Sequence, residues 1–158
     1  MSDSADIPDA PMNAAGASPR TIDRLFAHYG ESHQHPINLR IHWVCVPLIV
    51  WSTLAMCWAI HPYAAFAIIV PALIYYFTLS IRMAIFQIAC IAVSVGLFVL
   101  TRHLLSVAIG VFVASWIGQF IGHHIERRKP SFFDDLRFLL IGPLFVSRYL
   151  FEALKIRY

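Results

Sequence analysis

Four long apolar stretches separated by short polar breaks constrain this chain more than any other feature of its sequence. The stretches cover residues 43–60, 63–81, 83–100 and 104–121. A helix crosses the core of a bilayer with about 20 apolar residues, because each residue rises about 1.5 Å. The sequence therefore predicts an all-α, polytopic membrane protein with about four transmembrane helices.

The breaks between these stretches are His61-Pro62, Arg82 and Arg102-His103. The break at Arg82 carries neither glycine nor proline to mark a turn. A single helix over residues 63–100 is excluded by length, because about 38 residues would extend roughly 57 Å, well beyond the thickness of a bilayer core. We therefore predict a tight helical hairpin at Arg82.

The composition agrees with a membrane protein and excludes several soluble classes. Hydrophobic residues make up 59% of the chain and charged residues only 13%, whereas soluble domains carry about a quarter charged residues. No zincin, dinucleotide-binding or nucleotide triphosphatase motif is present, and none typical of nucleic-acid binding. The net charge of +3 therefore indicates an anionic lipid surface as the partner.

Both ends of the chain differ from the apolar middle. Residues 1–20 are small, acidic and rich in proline, and this composition predicts a disordered tail before a single helical membrane domain over residues 21–158. Residues 21–35 show the spacing of a short amphipathic helix. Residues 138–146 are too short to span and are interrupted by Gly142-Pro143, so we expect short interfacial helices at both ends.

The basic residues indicate how the helices are oriented. Only Arg102 falls on one side of the predicted bundle, whereas the other side carries Arg20, Arg24, Arg40, Arg82, Arg127, Arg128 and Lys129. Cytoplasmic loops carry the excess of lysine and arginine in membrane proteins. Both termini are therefore predicted to face the cytoplasm.

Four crossings return the chain to the membrane face from which it started. This topology brings most of the histidines to one face. His61 and His103 are left at the other face, and the gathered set is His28, His33, His35, His42, His123 and His124. Such a set can bind a metal ion. Interfacial histidines can also simply extend toward lipid headgroups, and spacing alone leaves both interpretations open.

Helical spacing narrows the candidate metal ligands before and within the first span. His42 begins this span, and Asn38 lies one turn earlier on the same face. A metal-bound imidazole usually donates a hydrogen bond through its other ring nitrogen, and Asn38 is placed to accept it. His33 precedes the break at Pro36 and can approach from a different direction.

The end of the last span supplies the second group of candidates. His123 and Glu126 are three residues apart and share a helix face. The neighbouring His124 points about 100° away, so we expect only one of these two histidines to face the site.

Two segments carry most of the distinctive polar residues: YGESHQHPINLRIHWVCVPLIVWS and WIGQFIGHHIERRKPSFFDDLRFLLIGPLF. They resemble the signature blocks of a membrane family found in fungi and many bacteria, whose fungal members are iron(II)-dependent 2-hydroxy fatty acid dioxygenases. The first block matches at Tyr29, His33, Pro36, Asn38, His42 and Pro47. The second block matches at Gln119, Gly122, His123, Glu126, Pro130, Asp135 and Pro143.

The resemblance implies a set of site residues. The conserved histidines of the family fall on His33, His42 and His123, which are the expected ligands of Fe(II), and Glu126 is expected to take part in catalysis. Asn38 and Tyr29 are expected to support the ligands. A fourth ligand, either Glu126 or His124, stays open, and so does a site with three.

The implied reaction uses dioxygen to shorten a long-chain 2-hydroxy fatty acid by one carbon, with the acyl tail among the membrane helices. Imidazole and carboxylate ligands with open coordination positions suit non-haem iron. The implied location is a bacterial inner membrane. Two alternatives stay open: another non-haem iron lipid oxidase or hydroxylase, and a non-catalytic membrane protein that binds a metal or haem.

Overall fold

The computed structural model describes residues 20–31, 33–127 and 136–158, and these residues form six α-helices. The helices are α1 (Thr21–Glu31), α2 (Pro36–Ile60), α3 (Pro62–Leu79), α4 (Ile81–Leu100), α5 (Leu104–Glu126) and α6 (Leu136–Ala153). The predicted disordered tail lies outside the described residues, apart from Arg20 at its end. The predicted all-α architecture is confirmed.

Helices α2 to α5 are long and apolar enough to cross a membrane. The shortest, α3, has 18 residues, which extend about 27 Å along the helix axis. Large apolar side chains cover the outside of the bundle; Val99 is 72% exposed and Ile74 is 63% exposed. Such surfaces are stable in lipid rather than in water. The chain is therefore an integral membrane protein with four candidate spans, as its hydropathy predicts.

The boundaries of the spans follow from capping residues. Both α2 and α3 begin with a His-Pro pair, in which the histidine side chain accepts a hydrogen bond from the second residue after it. Ser80 is extended and separates α3 from α4, and its hydroxyl accepts from the main-chain nitrogen of Met83. The predicted hairpin is present. Its break lies at Ser80 rather than at Arg82, because serine satisfies a free helix N-terminus and arginine does not.

Helix α2 packs most extensively against α5, and two glycines allow this close approach. A Cβ atom on Gly118 would lie 2.6 Å from Sγ of Cys45, and one on Gly122 would lie 2.3 Å from Oδ1 of Asn38. Small residues four apart are the usual means by which membrane helices bring their backbones together. The N-terminal end of α2 therefore lies directly beside the C-terminal end of α5.

Helices α1 and α6 pack together across the end of the bundle where α2 begins and α5 ends. Ile22 and Phe26 of α1 share a buried cluster with Leu144 and Phe145 of α6. Hydrogen bonds fasten α6 to the spans: the hydroxyl of Tyr76 donates to the carbonyl oxygen of Leu140 at 2.8 Å. The end of the bundle that holds the candidate site is thus covered by two additional helices.

The predicted interruption at Gly142-Pro143 is wrong, because α6 continues through both residues as one helix. A Cβ atom on Gly142 would lie 3.5 Å from the hydroxyl of Tyr29 and 3.4 Å from Val46, so this position packs closely on its neighbours. The hydroxyl of Ser147 donates to the carbonyl oxygen of Pro143 at 2.7 Å. Tertiary packing compensates for the weak helix propensity of the pair.

Candidate metal centre

Three histidines from three separate parts of the chain converge at the covered end of the bundle. His33 lies in the loop between α1 and α2, His42 lies in the second turn of α2, and His123 lies in the last turn of α5. One ligand atom from each lies within 4.8 Å of the others. The side chain of His42 is only 3% exposed. The structure thus brings together the three residues predicted to bind the metal.

The hydrogen bonds of two of these histidines identify which ring nitrogen carries the proton. Nδ1 of His33 lies 2.8 Å from the carbonyl oxygen of Tyr29, and Nδ1 of His42 lies 2.9 Å from that of Asn38. A carbonyl oxygen can only accept, so each Nδ1 donates its proton. In a neutral imidazole the other nitrogen, Nε2, then carries a lone pair.

The two Nε2 atoms of His33 and His42 face each other at 3.0 Å. Two lone pairs repel each other at this distance unless a cation lies between them. Nitrogen ligands about 2.1 Å from one metal ion and at right angles to each other are about 3.0 Å apart. The observed pair therefore fits a shared metal ion, and each ring has its other nitrogen anchored as metal-bound histidines usually do.

Tyr29 positions His33 through two contacts. Its carbonyl oxygen accepts the hydrogen bond from Nδ1, and its ring stacks on the imidazole with centroids 4.3 Å apart and an interplanar angle of 2°. Tyr29 is itself 7% exposed and packs against Phe145 of α6. Tyr29 therefore holds the candidate ligand His33 in position and connects it to α6.

Glu126 lies outside the histidine cluster and ties the ligand-bearing loop to the end of α5. Its carboxylate accepts hydrogen bonds from the main-chain nitrogens of Gln34 at 2.9 Å and His35 at 3.0 Å. The side-chain amide of Asn38 donates to the same carboxylate at 3.0 Å. Glu126 thus holds both the residue after His33 and the first turn of α2, and its contacts are those of a positioning group.

Asn38 is the hydrogen-bond partner of His42. Its main-chain carbonyl accepts the hydrogen bond from His42, and its side-chain amide donates to Glu126. Asn38 is completely buried, with Oδ1 against Gly122.

The glycines of α5 are not predicted as site residues by the spacing of the polar residues. Gly118 and Gly122 nevertheless form a G-x-x-x-G pattern in an apolar span, and this pattern signals close helix packing.

The remaining histidines lie apart from the cluster. His35 caps the start of α2, and His124 is exposed beside His123. His61 precedes α3 and His103 precedes α5, and both lie at the opposite end of the bundle. Neither His124 nor any described aspartate or cysteine joins the candidate group of metal ligands.

Comparisons with known proteins identify the family of this chain. The sequence profile of the family described as 2-hydroxy-palmitic acid dioxygenase Mpo1-like matches residues 20–154. The 2-hydroxy-palmitic acid dioxygenase MPO1 of Saccharomyces cerevisiae is 27% identical over 138 residues, which cover 76% of this chain and 74% of the yeast protein. No solved structure matches the chain significantly. The chain belongs to the Mpo1-like family of membrane proteins.

Proposed function

We propose that this protein is an iron(II)-dependent dioxygenase that converts a long-chain 2-hydroxy fatty acid and O₂ into the acid one carbon shorter, CO₂ and water. The bond between the first and second carbons breaks, and the second carbon becomes the new carboxyl group. This is a four-electron oxidation, which one O₂ molecule accepts in full, so no further reductant is needed. Family membership and the name of the yeast relative support the assignment.

The observation that carries the proposal is the pair of Nε2 atoms of His33 and His42, which face each other at 3.0 Å beside His123. Three neutral imidazoles are a suitable ligand set for Fe(II), and they leave coordination positions for other molecules. Iron, when bound, supplies the capacity to activate O₂. The protein contributes the fixed orientation of its ligands, through the carbonyls of Tyr29 and Asn38.

The placement of the cluster suits a lipid substrate. The three histidines lie at the end of a bundle whose outer surface is apolar, so an acyl tail can stay in the bilayer while its polar head reaches the site. Helices α1 and α6 cover this end and restrict the access of water to it. The substrate therefore does not have to leave the membrane to react.

Gln119 supplies a further polar group near the expected position of the substrate. It lies one turn before His123 on the same face of α5, is 6% exposed, and its Oε1 atom has no hydrogen-bond partner within the described part of the chain. Polar groups inside membrane spans are costly and mark functional positions. We propose that this amide binds the polar head of the substrate.

The function is tested with the full chain, purified in detergent and loaded with Fe(II). Under air it should convert 2-hydroxypalmitic acid to the C15 acid, as measured by mass spectrometry of the products. Palmitic acid is the matched control and should not be shortened, because it lacks the 2-hydroxyl group. Shortening of both acids, or of neither, would contradict the substrate assignment.

An optical spectrum and the O₂ consumption of the same sample distinguish the dioxygenase from a haem-binding protein and from another lipid oxidase. Iron without a Soret band favours the dioxygenase, whereas a Soret band would identify a haem-binding protein. Consumption of O₂ without shortening of any 2-hydroxy acid would favour another lipid oxidase.

A further inference from the structure

A second polar site lies at the turn between α3 and α4. A cavity of about 410 Å³ opens there, lined by the side chains of three arginines and four other residues: Arg20, Leu79, Ser80, Ile81, Arg82, Arg157 and Tyr158. None of these residues contacts the histidine cluster or takes part in the proposed reaction. The cavity therefore requires its own explanation.

The charges in this cavity are mostly uncompensated. Arg20 is paired with Asp23, whose carboxylate lies 2.8 Å from its Nε atom. Arg82 donates to the main-chain carbonyl oxygen of Arg157 through one guanidinium nitrogen, which leaves its other donors for a ligand. Burial raises the pKa of the Tyr158 phenol, so that ring stays neutral near the arginines. Neither Arg82 nor Arg157 has a side-chain carboxylate partner among the described residues, so positive charge is left for a ligand.

The position of Arg82 places this charge at the depth of lipid headgroups. Arg82 lies in the first turn of α4, immediately beyond the end of α3, and both helices are candidate spans. The rim of the cavity is apolar; Ile81 is 64% exposed and Leu79 is half-buried. The N-terminus of α4 adds its partial positive charge to that of the guanidinium groups. An anion with an attached apolar chain would match both the positive charge and the apolar rim of the cavity.

The cavity also connects the ends of the described chain to the membrane bundle. Arg20 donates to the main-chain oxygen of Tyr158 and lies over its ring, 5.0 Å from the centroid. Arg82 donates to the main-chain oxygen of Arg157, the residue before Tyr158. Arg20 and Arg82 are thus held by two neighbouring main-chain oxygens, and Arg157 lines the same cavity, so a phosphate group bound there lies near more than one guanidinium group.

We propose that this cavity binds the phosphate group of an anionic phospholipid, with the guanidinium groups of Arg82 and Arg157 as its main contacts. Guanidinium groups bind phosphate oxygens through paired N–H donors, and a lysine or arginine near a membrane surface is worth about 1 kcal/mol toward anionic lipid. A soluble phosphate compound offers the same polar chemistry but has no acyl chain to place on Leu79 and Ile81.

Native mass spectrometry of the full chain in a neutral detergent tests the proposal. The protein is titrated with phosphatidylglycerol, phosphatidylcholine or glycerol 3-phosphate. We expect one tightly retained phosphatidylglycerol and weaker retention of the other two compounds. Retention of phosphatidylglycerol should fall about fivefold in Arg82→Gln and again in the Arg82→Gln/Arg157→Gln double variant.

Arg40→Gln is the matched control, because Arg40 is an exposed arginine predicted to lie at the same membrane face and it does not line the cavity. An equal loss in Arg40→Gln and Arg82→Gln would overturn the proposal, since it would show general attraction to the charged surface. Equal binding of glycerol 3-phosphate would overturn the assignment to a lipid. If the double variant does not fold, the unaltered protein still tests the proposal through its retention of phosphatidylglycerol and of phosphatidylcholine. Equal retention of the two lipids would contradict the site.

Discussion

His33 and His42 are anchored by the same local contact, because each donates from Nδ1 to the main-chain carbonyl four residues earlier. Sequence spacing predicts that Asn38 lies beside His42, and its main-chain carbonyl makes that contact. Its side chain bonds to Glu126, 88 residues away. Pairing over such a distance leaves no periodic signal in the sequence, so it could not be predicted from spacing.

Replacing Glu126 tests its positioning role. In Glu126→Gln an amide NH₂ replaces one oxygen that accepts hydrogen bonds from the loop and from Asn38, and the loop carrying His33 should lose its fixed position. Loss of such a supporting group typically costs 10- to 100-fold in metal affinity or activity. We expect an affinity for Fe(II) lower by about 10- to 100-fold, as measured by competition with a chelator.

The matched control for this change is Glu152→Gln, which removes an exposed carboxylate paired only with Arg148 in the described residues. It should leave the affinity for Fe(II) unchanged. An affinity for Fe(II) that is equally low in both variants would contradict a specific role for Glu126. Complete loss of iron in Glu126→Gln, as in a variant that lacks a histidine ligand, would contradict the positioning role and make Glu126 a ligand.

Replacing Gln119 tests its proposed contact with the substrate. Gln119→Leu keeps the size of the side chain and removes its polar atoms, so a lost hydrogen bond should raise KM for the 2-hydroxy acid by about 2- to 10-fold. Iron content should stay at one per chain. Phe120→Leu is the control, because Phe120 is adjacent on α5 and 48% exposed. An unchanged KM in Gln119→Leu would exclude the contact.

At the scale of the helices, hydropathy located every span but not every boundary. The end of α3 depends on Ser80, whose hydroxyl caps α4 through a local hydrogen bond that a hydropathy pattern does not show. Continuity of α6 through Gly142-Pro143 depends on packing against Tyr29 and Val46, which are distant in the sequence. Local propensity predicts a break there, and tertiary contacts override it.

The close packing of α2 on α5 gives a direct test of how these helices build the site. Gly122→Ala would place a methyl group 2.3 Å from Oδ1 of Asn38, which has to move and thereby release Glu126. We expect loss of bound iron and a lower melting temperature, measured by metal analysis and thermal unfolding in detergent. Gly110→Ala is the control on the same helix, since its methyl group would meet no atom within 4 Å. Equal behaviour of the two variants would contradict this account of the interface.

For the whole molecule, apolar length and the spacing of breaks were sufficient to predict a four-span, all-α protein. The covering of one end by α1 and α6 was not predicted, because amphipathic spacing shows that a helix has an apolar face but not which surface it packs on. This covering helps place His33, whose neighbour Tyr29 contacts α6.

The orientation in the membrane stays a prediction that follows from the arginine distribution. Four spans with both termini in the cytoplasm require that reporters fused after Arg82 and after Tyr158 both report the cytoplasm of a bacterial cell. A fusion after Arg102 is the control and should report the periplasm. A periplasmic signal after Tyr158 would contradict the even number of crossings.

A metal ion shared by His33, His42 and His123 is the central requirement of the proposed site, and metal analysis of the purified full chain tests it most directly. We predict one Fe(II) per chain in the unaltered protein after loading, and loss of that iron in His33→Ala, His42→Ala and His123→Ala. His61→Ala and His103→Ala should retain it, because both residues lie at the opposite end of the bundle. Retained iron in any of the first three variants, or equal loss in His103→Ala, would contradict the site.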